Sequence, residues 1–358
     1  MRYRFLKISK TPDADLLHLL DNNVIGTPGQ GMRYQHKGVK NKIHQIANPY
    51  FVHLMRNDRM TGTCCFCERT TLNAGTAIKS FYIRYFSFRD IFRRKNPGSK
   101  SAPGKSALRD EVKALLQGEG LTASAHEPFY HYAYVDPRNT RSAVLCEEFG
   151  FQPVRQFTTI LFNRLHPREH KARHIELITS ETQEEIKKLV DHFYRGYTMF
   201  SQENLFQTRA YYVIKNAQGE ITAGAQAHPD HWKILSLPGT TGKIILNLFT
   251  PFPLLNRLFN KQYRYLTLEG IYYKPGCEKE LELLFEHLLH RYQLYTALIP
   301  VDANSDLYSA LKSLQLGLVD KLSKEVRGNV IAKFIRFNEQ QTALFKENPA
   351  YLSGIDVT

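Results

Sequence analysis

Residues 134–151 read YVDPRNTRSAVLCEEFGF, and residues 300–318 read PVDANSDLYSALKSLQLGL. In each stretch an apolar, strand-like run ends in Val-Asp. A short turn containing Asn follows, and then an amphipathic helix that stops at a Gly. Val135-Asp136 and Val301-Asp302 lie one domain's length apart in the chain, so the pair marks an internal repeat. The local chemistry is readable. An Asn ahead of a helix offers its side-chain oxygen to the free N–H groups of the first turn. A Gly at the far end adopts the left-handed conformation that closes the last turn.

Working outward, the same order of elements precedes each copy. In the first half RYRFLKIS reads as a strand and PDADLLHLLDN as a helix with Pro near its start. NPYFVHLMRND and MTGTCCFCERTT are strands joined by a turn at Asn57-Asp58. After a turn at Asn73-Ala74-Gly75 comes the strand AIKSFYIRYFSF, then a long basic loop and the helix KSALRDEVKALLQ. FYHYAYVD is a strand, the helix above follows, and RQFTTILF is another strand. In the second half HIELITS is a strand and ETQEEIKKLVDHFYRGY a helix. AYYVIKN and ITAGAQAH form a hairpin across Ala217-Gln218-Gly219. The strand RYLTLEGIYY, the helix EKELELLFEHLLHRY, the strand YTALIPVD and the helix DLYSALKSLQ lead to NVIAKFIRF, which is expected to close the sheet. An insertion at about 237–262 separates the hairpin from the next strand. The polar linker LHPREHKARH places the boundary near residue 168. Two domains, 1–168 and 169–358, each with one mixed, mostly antiparallel sheet and packed helices, make an α+β fold.

Composition is consistent with two cores: 358 residues, 42% hydrophobic and 12% aromatic, argue against disorder. The net charge of +14 and pI near 9.4 favour a polyanionic partner, namely nucleic acid, an acidic membrane surface or a phosphorylated cofactor. No RNA-module signature or basic helix register supports nucleic acid or tRNA in particular. MRYRFLKISK is too polar for a signal peptide. No stretch reaches the ~20 apolar residues that span a bilayer, which places the chain in the cytoplasm as an expectation. Cys64, Cys65 and Cys67 sit on a strand with no second pair at ligand spacing, so core packing is expected of them and no metal site. Gly104-Lys105-Ser106 ends like a P-loop, but Gly98 stands one residue too far away and no strand leads directly into the loop.

Asp136-Pro137-Arg138-Asn139 with Gly150-Phe151, set in this element order and repeated, resembles the late segment of the GNAT superfamily of acyl-CoA-dependent N-acyltransferases. The resemblance runs along most of both halves. It implies that the chain moves an acyl group, acetyl being the expected one, from coenzyme A to an amine. N-myristoyltransferases and Fem-type aminoacyltransferases resemble this arrangement of two related domains. In the family, a loop of the form Arg/Gln-x-x-Gly-x-Gly/Ala and the helix after it hold the cofactor pyrophosphate on backbone N–H groups. The matching positions here are Ser101-x-x-Gly104-x-Ser106, with Lys105 at the helix start. Ser101 departs from the family's Arg or Gln. Arg89, Arg93, Arg94, Lys95 and Lys100 add positive charge to the loop. The resemblance also assigns the edge of the strand Phe81–Phe88, including Phe86 and Phe88, to the pantetheine and the oxyanion, and Asn139 to the cofactor. In the second half the equivalent stretch is Tyr273 to Glu278. A carboxylate there repels a diphosphate, so that half is expected to be degenerate in cofactor binding and to shape the acceptor pocket.

Acyl transfer also needs a proton donor for the leaving thiolate and a base for the amine. The family's usual acid, a Tyr in the late helix, corresponds to Cys146, with Tyr132 and Tyr134 as substitutes on the neighbouring strand. Glu269, in LTLEGIY, stands where family members often carry a catalytic Glu, and Glu68, His126 and His131 are further candidates. The departures at Ser101 and Cys146 also fit an inactive binding scaffold. The acceptor, a small amine or a peptide, and the oligomeric state are not readable from the sequence.

Overall fold

The computed structural model describes residues 3–26, 29, 31–88, 105–121, 126–171, 174–206, 208–237, 256–258, 260–322 and 325–357. Most of the expected insertion and the basic loop before the helix at Lys105 lie outside them. Each half begins with a short strand and a helix. These are β1 (Leu6–Ser9) and α1 (Ala14–Asp21) in the first, and β8 (His174–Leu177) and α5 (Ser180–Phe193) in the second. Local chemistry starts these helices. Asp13 accepts a hydrogen bond from the N–H of Leu16, and Thr179 and Thr182 form a reciprocal capping pair.

In the first half β3 (Pro49–Arg56), β4 (Arg59–Asn73) and β5 (Thr76–Phe88) are antiparallel neighbours. Then come α3 (Lys105–Leu116), β6 (Phe129–Val135), α4 (Thr140–Glu148) and β7 (Gln152–Asn163). In the second half β9 (Tyr211–Lys215) and β10 (Ile221–Ser236) form the expected hairpin. They are followed by β11 (Gln262–Tyr273), α6 (Glu278–Arg291), β12 (Thr296–Asp302), α7 (Asp306–Lys312), α8 (Leu318–Leu322) and β13 (Arg327–Ile335). The repeat is structural. Asn139 accepts from Ser142 N–H at the start of α4, and Ser305 accepts from Tyr308 N–H at the start of α7.

The two expected sheets are one. Among the described residues thirteen strands join in one sheet: twelve run in the order β1-β3-β4-β5-β6-β13-β7-β12-β11-β10-β9-β8, and one more pairs with β10 off this path. NVIAKFIRF therefore does not close a sheet of its own half. As β13 it lies between β6 and β7, and β7 pairs with β12 over Phe157–Asn163. The halves exchange their last strands, which leaves neither with an unpaired inner edge. Packing crosses the same line. A core cluster gathers Leu16, Phe51, Tyr130, Val330, Phe345 and Leu352, from both ends of the chain.

Five elements have no counterpart in the sequence reading: β2 (Arg33–His36), α2 (Val39–His44), the short helix α8, α9 (Glu339–Glu347) and α10 (Gly354–Val357). The strand β2 pairs with β10, with Trp232 opposite His36, and so carries first-half residues to the second half.

Candidate active site

Two parallel strand pairs set the site. β5 and β6 pair only from Lys79↔Phe129 to Tyr82↔Tyr132 and then part. A bulge drives them apart. Thr63 faces Ser87 and Cys65 faces Arg84, so two β5 residues, Tyr85 and Phe86, oppose one on β4. Tyr85 is left-handed, with φ 57°. β11 and β12 repeat the arrangement. They pair only over Leu266↔Ala297 and Thr267↔Leu298, and a bulge follows at Gly270, φ 58°.

The two notches differ in what fills them. The β5/β6 notch opens into a cavity of about 1750 Å³ between α3, α4 and the β2/β10 pair. At the β11/β12 notch only about 10 Å³ remains. The segment 349–357 runs through it: Ala350 N–H donates to Asp302 (2.9 Å), Tyr351 N–H to Thr198 O (2.8 Å), and Gly354 N–H to Glu269 (2.7 Å). The loop before α6 is closed too, because Gly276 N–H donates to the Glu278 carboxylate at 3.0 Å.

The cavity brings together Phe86, Tyr134, Asn139 and Cys146 among the residues singled out from the sequence. Phe86 is 52% exposed. Asn139 spends one oxygen on the α4 cap. Cys146 is half-buried against the cluster around Phe151 and Ile331, and burial raises its thiol above the ordinary value. Burial also raises the Tyr134 phenol well above its ordinary value.

Other expected site residues lie elsewhere. Tyr132 is buried and accepts a hydrogen bond from Arg69 at 3.2 Å, and it is not on the cavity wall. Glu269 is buried at the other notch, where it accepts from Ser353 Oγ and Gly354 N–H (both 2.7 Å) and contacts His228 Nε2 (2.8 Å). Burial pushes its pKa up. The His228 contact and the two hydrogen bonds outweigh burial, and the net direction is down. Glu68 pairs with Lys79 at 3.1 Å, and His131 is buried with Nε2 2.9 Å from Leu116 O. Ser101 and Gly104 lie outside the described residues, as do Arg89, Arg93, Arg94, Lys95 and Lys100. Lys105 and Ser106 open α3, and their side chains and that of Phe88 are not among those described.

Several residues of the site were missed. Beside Tyr82 a buried cluster joins Asp356 to Arg69 and Arg84, with Arg69 Nη2 2.9 Å from the carboxylate. His36 and Trp232 face each other across the β2/β10 pair, also on the cavity wall. No sequence signal links positions so far apart in the chain. Among the described residues no group of three or more His, Cys, Asp or Glu is placed to hold a metal, and no helix is long and apolar enough to cross a membrane.

No protein-family model matches the chain, and no curated protein matches it in sequence. Solved structures do. N-myristoyltransferase of Saccharomyces cerevisiae with bound myristoyl-CoA superposes with a TM-score of 0.57 at 12% identity, covering 94% of this chain and 84% of that one. The same enzyme with myristoyl-CoA and inhibitors gives 0.54 at 11% identity, covering 93% and 80%. A GCN5-related N-acetyltransferase from Anabaena variabilis gives 0.49 at 10% identity, covering 92% and 72%. At such identities the likeness is one of fold: the chain has the fold of N-myristoyltransferase.

Proposed function

We propose that the chain is an N-acyltransferase that moves an acyl group from a coenzyme A thioester to an amine. The observation that carries this reading is the asymmetry of the notches: one opens into a cavity of about 1750 Å³, the other retains about 10 Å³. On this reading residues 1–168 hold the acyl-CoA. Residues 169–358 are degenerate in cofactor binding and contribute acceptor-side walls. The self-capped loop at Gly276–Glu278 supports that division, since its N–H already has a carboxylate.

Beyond Tyr82, β5 no longer pairs with β6, and this parting of the strands supports a place for pantetheine amides and a developing oxyanion between them. The amine nitrogen forms a bond to the thioester carbon, and the carbon–sulfur bond breaks. The nitrogen gives up one proton and the leaving thiolate gains one. Cys146, on the cavity wall, is the proposed donor to the thiolate, and Tyr134 the runner-up. Ligand pockets usually run to about 300–1,000 Å³. A larger cavity, in the fold of an enzyme crystallised with myristoyl-CoA, supports a long acyl chain rather than acetyl.

Calorimetric titration with acetyl-CoA and myristoyl-CoA tests the reading. One site per chain is expected, with the longer chain binding more tightly. No binding of either overturns the reading, and two equivalent sites overturn the division between halves. Binding without turnover across a broad amine panel points to the inactive scaffold.

A further inference from the structure

Six large hydrophobic side chains are exposed among the described residues: Phe86, Val144, Leu177, Leu235, Leu318 and Val326. Five of them border the large cavity. Phe86 (52% exposed) and Val326 (51%) stand on its wall. Val144, Leu235 and Leu318 are each next in sequence to a wall residue, namely Leu145, Ile234 and Val319. Leu177, on the edge strand β8, lies elsewhere. Apolar side chains exposed singly need no explanation, but a set that frames one opening marks an interaction surface. The five come from β5, α4, β10, α8 and the residue before β13, so no single amphipathic element accounts for them.

The kind of partner follows from charge and from what the rim encloses. The chain carries a net charge of +14, which draws it to an anionic surface. The carboxylates of Asp136, Asp320 and Glu325 on the wall are each ion-paired, with Arg138, Lys312 and Arg327, so they oppose that approach little. Behind the rim the wall stays apolar, with Leu108, Val112, Phe149, Leu161 and Leu298. A protein seated over such an opening would stop the cavity. A lipid surface would feed it, because an acyl chain then passes from bilayer to pocket without crossing water. Apolar contact and electrostatic attraction together are what hold a protein on a membrane surface without a spanning helix.

We propose that the mouth of the cavity docks on the surface of an anionic lipid bilayer, with the five exposed side chains entering the headgroup region and the positive net charge supplying the attraction. The purpose of this docking, uptake of a long-chain acyl thioester, rests on the acyl-transfer reading. The docking itself needs no coenzyme A.

Co-sedimentation of the full chain with vesicles is the test. The vesicles are phosphatidylcholine alone, and phosphatidylcholine mixed with phosphatidylglycerol in equal parts. Anionic vesicles are expected to bind about tenfold or more tightly than neutral ones at low salt, and the preference is expected to shrink as salt is raised. Val144→Asp and Val326→Asp put a carboxylate on the rim at exposed positions. Each is expected to weaken binding to anionic vesicles by about 3–10-fold. Leu177→Asp, away from the rim, is expected to leave it unchanged. Melting temperatures check that the variants fold, and Val144→Ser and Val326→Ser replace any Asp variant that does not. No vesicle binding, equal binding of neutral vesicles, wild-type affinity in both rim variants, or an equal loss in Leu177→Asp overturns the proposal. Calorimetry with acyl-CoA separates it from the enzyme reading. Vesicle binding by a protein that fails to bind acyl-CoA leaves the docking surface standing and removes the acyl-transfer reading, and acyl-CoA binding without vesicle binding does the reverse.

Discussion

Arg84 and Glu269 occupy the same place in the two halves, each two residues beyond the last paired residue of its notch and one before the left-handed residue of its bulge. One segment holds both. Ser353 and Gly354 bind Glu269, and Asp356 binds Arg84. The inner sides of the two notches thus carry opposite charges, and residues 353–356 connect them. A symmetric repeat has in this way become one open notch and one filled notch.

Asp356 is the more sensitive member of that connection. Its carboxylate faces two buried guanidinium groups, and removing its charge leaves both underneutralised. Breaking one side of a buried pair typically costs about 3–5 kcal/mol. Asp356→Asn is expected to fall in that range in urea unfolding. Glu269→Gln keeps an oxygen for Ser353 or Gly354 and is expected to lose less. An equal or smaller loss for Asp356→Asn would contradict the central role given to this carboxylate.

His131 sets a pH dependence. Burial pushes its pKa down to about 3, against a smaller upward effect of the bond to Leu116 O, and it sits in a cage of Phe66, Phe81 and Phe129. Unfolded, it titrates near 6.5. Between those values the unfolded chain takes up a proton that the folded chain refuses, so stability falls as the pH drops from about 6.5 toward 3. The expected measurement is a melting temperature that declines through this window, with a shallower slope in His131→Phe whatever that variant's stability at pH 7. An unchanged slope would show that His131 does not stay neutral when folded.

The strand and helix order was legible because its punctuation is local. Asn139 and Ser305 cap their helices within three residues, and the Asn57-Asp58 turn is marked by its own two left-handed residues. The exchange of β7 and β13 was not legible. The apolar pattern of NVIAKFIRF fits any sheet interior, and its neighbours are chosen by contacts some 170–200 residues away. Glu269 was correctly placed on a strand, but two of its partners, Ser353 and Gly354, belong to the unpatterned segment 349–357. His36 and Trp232 become one site only through the pairing of a four-residue strand, RYQH, with β10.

Asn139 has two separable roles. As a helix cap, its oxygen accepts from Ser142 N–H at 3.2 Å, and Asp caps as well as Asn does. Asn139→Ala is expected to cost about 1 kcal/mol, and Asn139→Asp close to nothing. If the acyl-CoA lies against this helix start, however, Asp brings a negative charge toward a polyanion. Asn139→Asp is then expected to melt like the wild type and to bind coenzyme A several-fold more weakly. Unchanged affinity would confine Asn139 to capping.

Cys146 and Tyr134 compete for the role of proton donor, and acidity favours Cys146. The leaving group is itself a thiol, with an ordinary pKa near 8.5. Burial raises the Cys146 thiol above its ordinary value, so it is protonated at neutral pH and has a proton to give. The Tyr134 phenol, raised well above 10 by burial, is a weaker match. A donor used only in the transition state changes turnover and not cofactor affinity. Cys146→Ala is therefore expected to lower kcat by about 10²–10⁴-fold with acyl-CoA affinity nearly unchanged, and Tyr134→Phe to lower it far less. The Ala variant also removes a half-buried sulfur from the cluster around Phe151 and Ile331, so turnover has to be expressed per folded molecule and read beside the melting temperature. A loss of turnover per folded molecule with an unchanged melting temperature marks a proton donor, whereas a stable and fully active Cys146→Ala enzyme passes the role to Tyr134 or to solvent.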